Sequence, residues 1–270
     1  MRVRSPAVAG LFYPAQPEAL RHALREAFVQ ARAGEAWRPK ALIAPHAGYI
    51  YSGPVAASAY ALLAPLRDVV RRVVLLGPVH RVWVDGLALP GVESFATPLG
   101  EVPLDAEAIA TIADLSQVEV SPAAHAMEHS LEVHLPFLQS VLGDFRLVPL
   151  AVGGASAEAV AEVLERLWGG EETLIVVSSD LSHFLPYAEA ARVDQATVQA
   201  VLRLDPHLVG EQACGAHPLN GLLLAARRHG LAIHLLDLRN SGDTSGDRSR
   251  VVGYGAFALT QPETEIRHAH

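Results

Sequence analysis

Three apolar runs of this chain end in residues that can do chemistry. His46 follows "ALIA" in "APHAGYIYSG", His80 closes "VVLLGPVH", and Asp180 and His183 close "LIVVSSDLSH". One histidine at a strand end is ordinary. Three separate strand ends that each deliver His or Asp point to a shared pocket, because open α/β sheets bind ligands beyond the carboxyl ends of their strands. Asp180 and Ser182 also fit as caps of a following helix. The single cysteine, Cys214, stands in "EQACGAHPLNGLLLAARR" before a helical pattern. It fits a small apolar core residue, or a thiolate favoured by the helix N-terminus. Two imidazoles and a thiolate would hold a divalent metal and leave a coordination position open. No C-x-x-C or H-E-x-x-H pattern is present, so a structural zinc module is not expected.

A second polar group lies in "HAMEHSLEVHLPFL", which carries His125, Glu128, His129, Glu132 and His134. On a helix Glu128 and Glu132 share a face. That face is either a second ligand cluster or the solvated side of an amphipathic helix, with His129 the residue expected to reach a pocket. The stretch "NSGDTSGDRSRVVGYG" is a loop by its Gly, Ser and Asp content. It would offer N–H groups to an anion, or Asp243 and Asp247 to a cation, or simply form an Asx-rich turn. The glycines of "GYGAFA" lie inside a strand pattern with no helix after them, so they are not a dinucleotide site. No P-loop and no G-x-S-x-G elbow occurs.

The elements that must position these residues alternate. Buried strands are predicted over 40–45, 72–78, 146–152, 173–179, 232–238 and 251–259. Helices are predicted over "QPEALRHALREAFVQARAG", "GPVAASAYALLAPL", "SLEVHLPFLQSVLG", "SAEAVAEVLERLWGG", "YAEAARVDQATVQAVLRL" and "HPLNGLLLAARRHG". This alternation implies an α/β fold with a central mixed, largely parallel sheet and helices on both faces. The stretch 82–104 breaks the alternation and is expected as a hairpin or antiparallel strands beside the sheet. Gly48 and Gly53 are expected to admit close backbone approach and helix packing behind His46. Residues 1–260 read as a single domain and 261–270 as a flexible polar tail in which His268 and His270 are not ligands.

The chain has 270 residues, 50% hydrophobic and 19% charged, with a formal charge of −8. It can bury a sizeable core. No basic patch is interleaved with aromatics, so nucleic acid is not an expected partner. One cysteine precludes an intramolecular disulfide. No signal pattern is present, and no apolar run approaches the roughly 18 residues of a membrane helix. A cytoplasmic protein without membrane contact is expected.

Taken together, "APHAGYIYSG", "LGPVH", "EHSLEVHLPFL", "SSDLSHF", "CGAHP" and "SGDTSGDRSRVVGY" resemble the Memo family, named for a mediator of receptor-driven cell motility. Bacterial and archaeal members are also called AmmeMemoRadiSam system protein B. The resemblance runs from "SPAVAGLFYP" to about residue 259. It implies a fold similar to the class III extradiol dioxygenases and one divalent or redox-active metal, iron or copper, with zinc as a further choice. By motif the family's ligands fall on His46, His80 and Cys214, and its pocket-edge residues on Asp180 and His183. The dioxygenases use two histidines and a carboxylate; here Cys214 stands in the carboxylate's place.

Two functions follow as expectations. One is a metal-dependent redox enzyme or oxygenase in which His183 moves protons, Asp180 orients it or a metal-bound water, and His129, facing the pocket, is counted with them as catalytic. The other is a binding module that uses the same pocket for a peptide, a small ligand or metal cargo. Expected partners are a small-molecule or peptide ligand and the Amme-type and radical SAM proteins of the same set.

Overall fold

A computed structural model of the chain describes residues 2–32, 37–244 and 246–262. Its strands are β1 (Val3–Arg4), β2 (Pro39–Ala44), β3 (Arg72–Pro78), β4 (Leu87–Leu89), β5 (Ser94–Thr97), β6 (Gly100–Pro103), β7 (Val118–Val120), β8 (Arg146–Val152), β9 (Thr173–Ser178), β10 (His183–Leu185), β11 (Ala232–Asn240) and β12 (Val251–Thr260). Its helices are α1 (Pro17–Val29), α2 (Tyr49–Tyr60), α3 (Ala106–Ala110), α4 (Pro122–Ala126), α5 (Leu135–Val141), α6 (Ala157–Leu167), α7 (Tyr187–Leu202), α8 (Ala216–Arg228) and α9 (Ser241–Thr244).

The main sheet runs β10-β12-β2-β9-β3-β8-β4-β7, with β11 also paired to β12. Its centre, β2-β9-β3-β8, is parallel, and β12 and β4 add antiparallel flanks. The strands form because their β-branched and aliphatic runs can be buried on both faces. Period-two alternation divides them: Leu42, Val73, Leu75, Leu174 and Val176 join one core layer, with side chains of α1, α2 and α5. Ile43, Val74, Leu76, Ile175 and Val177 join the other, with α6, α7 and α8. The expected mixed α/β sheet with helices on both faces is therefore present.

The stretch 82–104 divides in two. Strand β4 extends the main sheet, while β5 and β6 form an antiparallel hairpin whose other edge pairs with β1. Helix α2 starts at Tyr49, four residues before the expected Gly53, and runs through Pro54. The helix expected from Ser130 is shortened to α5, after a 3-10 turn at Glu132–His134. The reason is that Glu128, Glu132 and His134 are all buried and hydrogen-bonded in different directions, which a regular helix face does not allow.

Gly48 and Gly53 do not make the close approaches expected of them: a Cβ at either would sit 3.6 Å from its nearest neighbour, an ordinary contact. The demanding glycines are elsewhere. A Cβ at Gly77 would lie 2.8 Å from Ser130 Oγ, and one at Gly215 would lie 2.5 Å from the Ser178 carbonyl. Both absences let chain segments close on the carboxyl ends of β3 and β9. Of the predicted tail, 263–270, including His268 and His270, lies outside the described residues.

Candidate metal centre at the carboxyl edge of the sheet

His46, His80 and Asp180 each stand two residues beyond the end of a parallel strand, β2, β3 and β9 respectively. These strands are neighbours in the order β2-β9-β3, so their ends converge on one rim. The His46 and His80 rings are 5.2 Å apart, centroid to centroid. His129 comes from the irregular segment after α4 and completes a trio: its ring stacks on His80 at 4.6 Å and meets His46 edge-on at 5.4 Å. One ring nitrogen of each histidine lies within 4.8 Å of those of the other two. His46 is buried and His80 is exposed at the mouth, so the cluster is open on one side.

The orientation of two of these rings is fixed by hydrogen bonds on the side away from the cluster. His46 Nδ1 is 2.6 Å from Ser178 Oγ. Ser178 gives its only hydroxyl proton to the carbonyl of Ser130, at 2.7 Å, so it must accept from His46. His46 is thus protonated on Nδ1 and presents a bare Nε2. Burial, helped by its histidine neighbours, drives its pKa well below the ordinary value and keeps it neutral. His80 Nδ1 lies 2.9 Å from Glu128 Oε1. Burial alone would raise Glu128, but the hydrogen bond from His80, its charge, and backbone N–H groups prevail and hold the carboxyl near 2. Glu128 is therefore an acceptor, His80 donates from Nδ1, and its Nε2 is free. The same carboxylate accepts from the backbone N–H groups of His80, His129 and Ser130. Partners of this kind orient metal-binding imidazoles and strengthen them as donors. Burial also lowers His129, to about 4.

Cys214 lies just before α8, with Gly215 between. Its Sγ is 3.3 Å from His46 Nε2 and accepts the N–H of Asp180 at 3.3 Å. Two ligands on one ion, at about 2.1 Å for nitrogen and about 2.3 Å for sulfur, stand roughly 3.1–3.6 Å apart at adjacent positions. The sulfur is thus placed as a neighbouring donor to His46. Without an ion, burial and the Asp180 charge push the thiol up to about 12. The Gly215 N–H, donating to Ser179 Oγ, and the Cys214 N–H, donating to the Asp180 carbonyl, fasten this segment to the end of β9.

Asp180 is buried, and burial raises its carboxyl to about 7 despite hydrogen bonds from the His46 and Ala47 N–H groups. Its Oδ1 accepts from His46 N at 2.7 Å, and its Oδ2 lies 4.0 Å from His46 Nε2. It therefore grips the turn that carries His46. His183 begins β10, paired to β12 at Val252. It is half-buried, and burial lowers its pKa. Phe184, beside it, is 60% exposed and adopts a left-handed backbone at φ 60°.

All six residues expected from sequence are thus on or beside one rim. The trio that closes most tightly contains His129, which the sequence suggested as a pocket-facing residue, and the sulfur stands alongside. Ser178, Ser130 and the role of Glu128 were missed. A serine ending an apolar strand run, as in "VVSSD", is the one available signal for Ser178. His125 is structural: its Nε2 donates to the Ala88 carbonyl at 2.7 Å. Asp243 accepts from Tyr187 Oη and Asn240 N, and Asp247 from Ser249, as Asx-type turn residues do.

The profile of Memo-like proteins matches residues 4–258. A MEMO1 family protein of Aeropyrum pernix is 37% identical, the alignment covering 96% of this chain and all of that protein. One from Aquifex aeolicus is 37% identical over 94% of this chain and 98% of its own length. Among solved structures, an uncharacterized protein JW3007 from Escherichia coli K12 superposes with a TM-score of 0.51 at 15% identity, covering 80% of this chain and 98% of that one, a likeness of fold. Matched from near its start to near its end by profile and relatives alike, the chain belongs to the Memo-like family.

Proposed function

We propose that this chain is a non-haem metal-dependent redox enzyme of the oxygenase type. The observation that carries the reading is the gathering of His46, His80 and His129 at an open rim, two of them with the far nitrogen tied back and Nε2 bare. A neutral, pre-oriented imidazole set suits iron, copper or zinc. The thiol of Cys214 adds a soft donor beside His46 and favours copper or zinc over a purely oxygen-liganded ion. A bound redox metal would supply electron transfer to or from a substrate. The protein's own part is to hold the site and move protons. Asp180, its carboxyl raised by burial, holds the backbone of the His46 turn and lies 4.0 Å from His46 Nε2. His183, neutral and half-buried, accepts one from a substrate.

Exposed apolar residues close in sequence to the site residues favour a second reading as a binding module. Leu11, Ile50, Trp83 and Phe184 are 81%, 77%, 67% and 60% exposed, each within four residues of Phe12, His46, His80 or His183 in sequence. Exposed apolar patches mark interaction sites. One experiment separates the two. Protein loaded in turn with iron, copper and zinc is screened for turnover of catechols, thiols and reductants with oxygen, alongside His183→Ala. The enzyme reading expects metal content unchanged in the variant and turnover down by about 10²–10⁴-fold. Absence of turnover with any metal, with a ligand retained by the wild type and lost by His183→Ala, gives the lead to the binding module.

A further inference from the structure

The segment that carries His129 has no regular structure to hold it. Helix α4 ends at Ala126, and only a 3-10 turn at Glu132–His134 precedes α5. Besides the bonds of Glu128 and Ser130 to the ends of β3 and β9, the start of the chain holds it. Arg4 is buried and spreads its fork over three points of this segment. Its Nε donates to the His125 carbonyl at 2.7 Å, one Nη to the Glu128 carbonyl at 2.6 Å, and the other to Glu132 Oε2 at 2.6 Å. Glu132, fully buried, reaches back along the same N-terminal strap, accepting from Ala7 N at 2.8 Å, Val8 N at 3.0 Å and Tyr13 Oη at 2.6 Å. Phe12 lays its ring 4.6 Å from that of His129. Its carbonyl accepts the N–H of Tyr49, the first residue of α2 after the His46 turn. The strap is itself fixed by the pairing of β1 with β5.

We infer that the N-terminal strap, residues 4–13, is a working part of the metal centre, and that Arg4 is a positioning residue that sets metal affinity through His129. This rests on the reading of the histidine cluster as a metal site. Arg4 touches none of the clustered rings. It acts by fixing the backbone on both sides of Met127 and the acid that anchors the strap, and Phe12 then fixes the His129 ring. A lysine at this position keeps a charge for Glu132 but cannot reproduce the planar fork on two carbonyls.

The test measures zinc and cobalt affinity by competition with a chromophoric chelator. The proteins are wild type, Arg4→Lys, Phe12→Leu, His129→Ala, and each strap variant combined with His129→Ala; circular dichroism establishes folding. Arg4→Lys and Phe12→Leu are expected to weaken zinc by about 10–100-fold, the range for residues that orient metal ligands. In the His129→Ala background Phe12→Leu should not change affinity by more than about twofold, because the ligand through which it acts is gone, and Arg4→Lys should keep only the smaller effect that reaches His80 through Glu128. Phe12→Leu keeps the question open to refutation if Arg4→Lys does not fold. Wild-type affinity in the folded strap variants, or equal weakening with and without His129, overturns the inference. A wild-type protein that binds neither ion overturns the metal reading itself, a result separate from the strap's failure.

Discussion

Replacing His134 by glutamine removes a titrating group from the core behind the histidine cluster. The ring is 1% exposed, its Nδ1 shares a hydrogen bond with Tyr60 Oη at 2.8 Å, and its Nε2 has no partner among the described residues. Burial, with a smaller push from His129, lowers its pKa from 6.5 to about 3. The folded pKa lies below the unfolded one, so the unfolded chain takes up the proton first as pH falls. The neutral ring's full contribution is present above about 6.5 and is lost progressively down to about 3. Between pH 7 and pH 5 those two values give a loss of about 2 kcal/mol. Glutamine does not titrate, and its amide can still meet the Tyr60 hydroxyl. Urea unfolding of chelator-treated protein at both pH values reads the difference, about 1 M in midpoint at a slope near 2 kcal/mol/M. Wild type should lose about 2 kcal/mol more than His134→Gln on going from pH 7 to pH 5. Other buried histidines titrate in both proteins and cancel in the comparison. Equal losses would refute the argument, because they would mean that His134 is protonated in the folded state or is not buried.

Ser178→Ala frees His46 to protonate on Nε2; zinc affinity should fall about 10–100-fold while the unfolding midpoint shifts by only a few degrees, as read by chelator competition and calorimetry. Cys214→Ser should weaken Cu(I) more than Fe(II), by about tenfold or more for the softer ion, in the same competition assay. Gly215→Ala forces a Cβ to within 2.5 Å of the Ser178 carbonyl; a loss of about 1–3 kcal/mol is expected in urea unfolding.

The central strands were readable because "LIVVS" and its counterparts are apolar at every position, and a run buried on both faces admits few alternatives. The placement of His46, His80 and Asp180 followed from the same runs, since residues just past parallel strand ends must share a rim. The path of the backbone through residues 125–134 was not legible because their spacing suits a helix face, while the hydrogen bonds that shape it come from residues 37 to 128 positions away. Nothing in the local pattern around Glu132 announces Arg4 or Tyr13. Likewise the protonation of His46 depends on where Ser178 sends its single proton, which is decided by the carbonyl of Ser130. These are long-range polar choices, and periodicity carries no information about them.

The strand order β2-β9-β3 also bears on how the protein is made. The strands that present His46 and His80 are the first two of the parallel set to be synthesised, yet they are never neighbours in the finished sheet. The strand that separates them, ending at Ser178, emerges about a hundred residues after β3. A nascent chain that paired β2 with β3 would have to release that pairing before β9 could enter. Contacts this distant in sequence form slowly. The histidines therefore cannot be set as a unit on the ribosome until most of the chain is out. Any ion that this cluster holds would then enter only after β9 has joined the sheet, and a filled site would certify that the sheet was threaded in the right order.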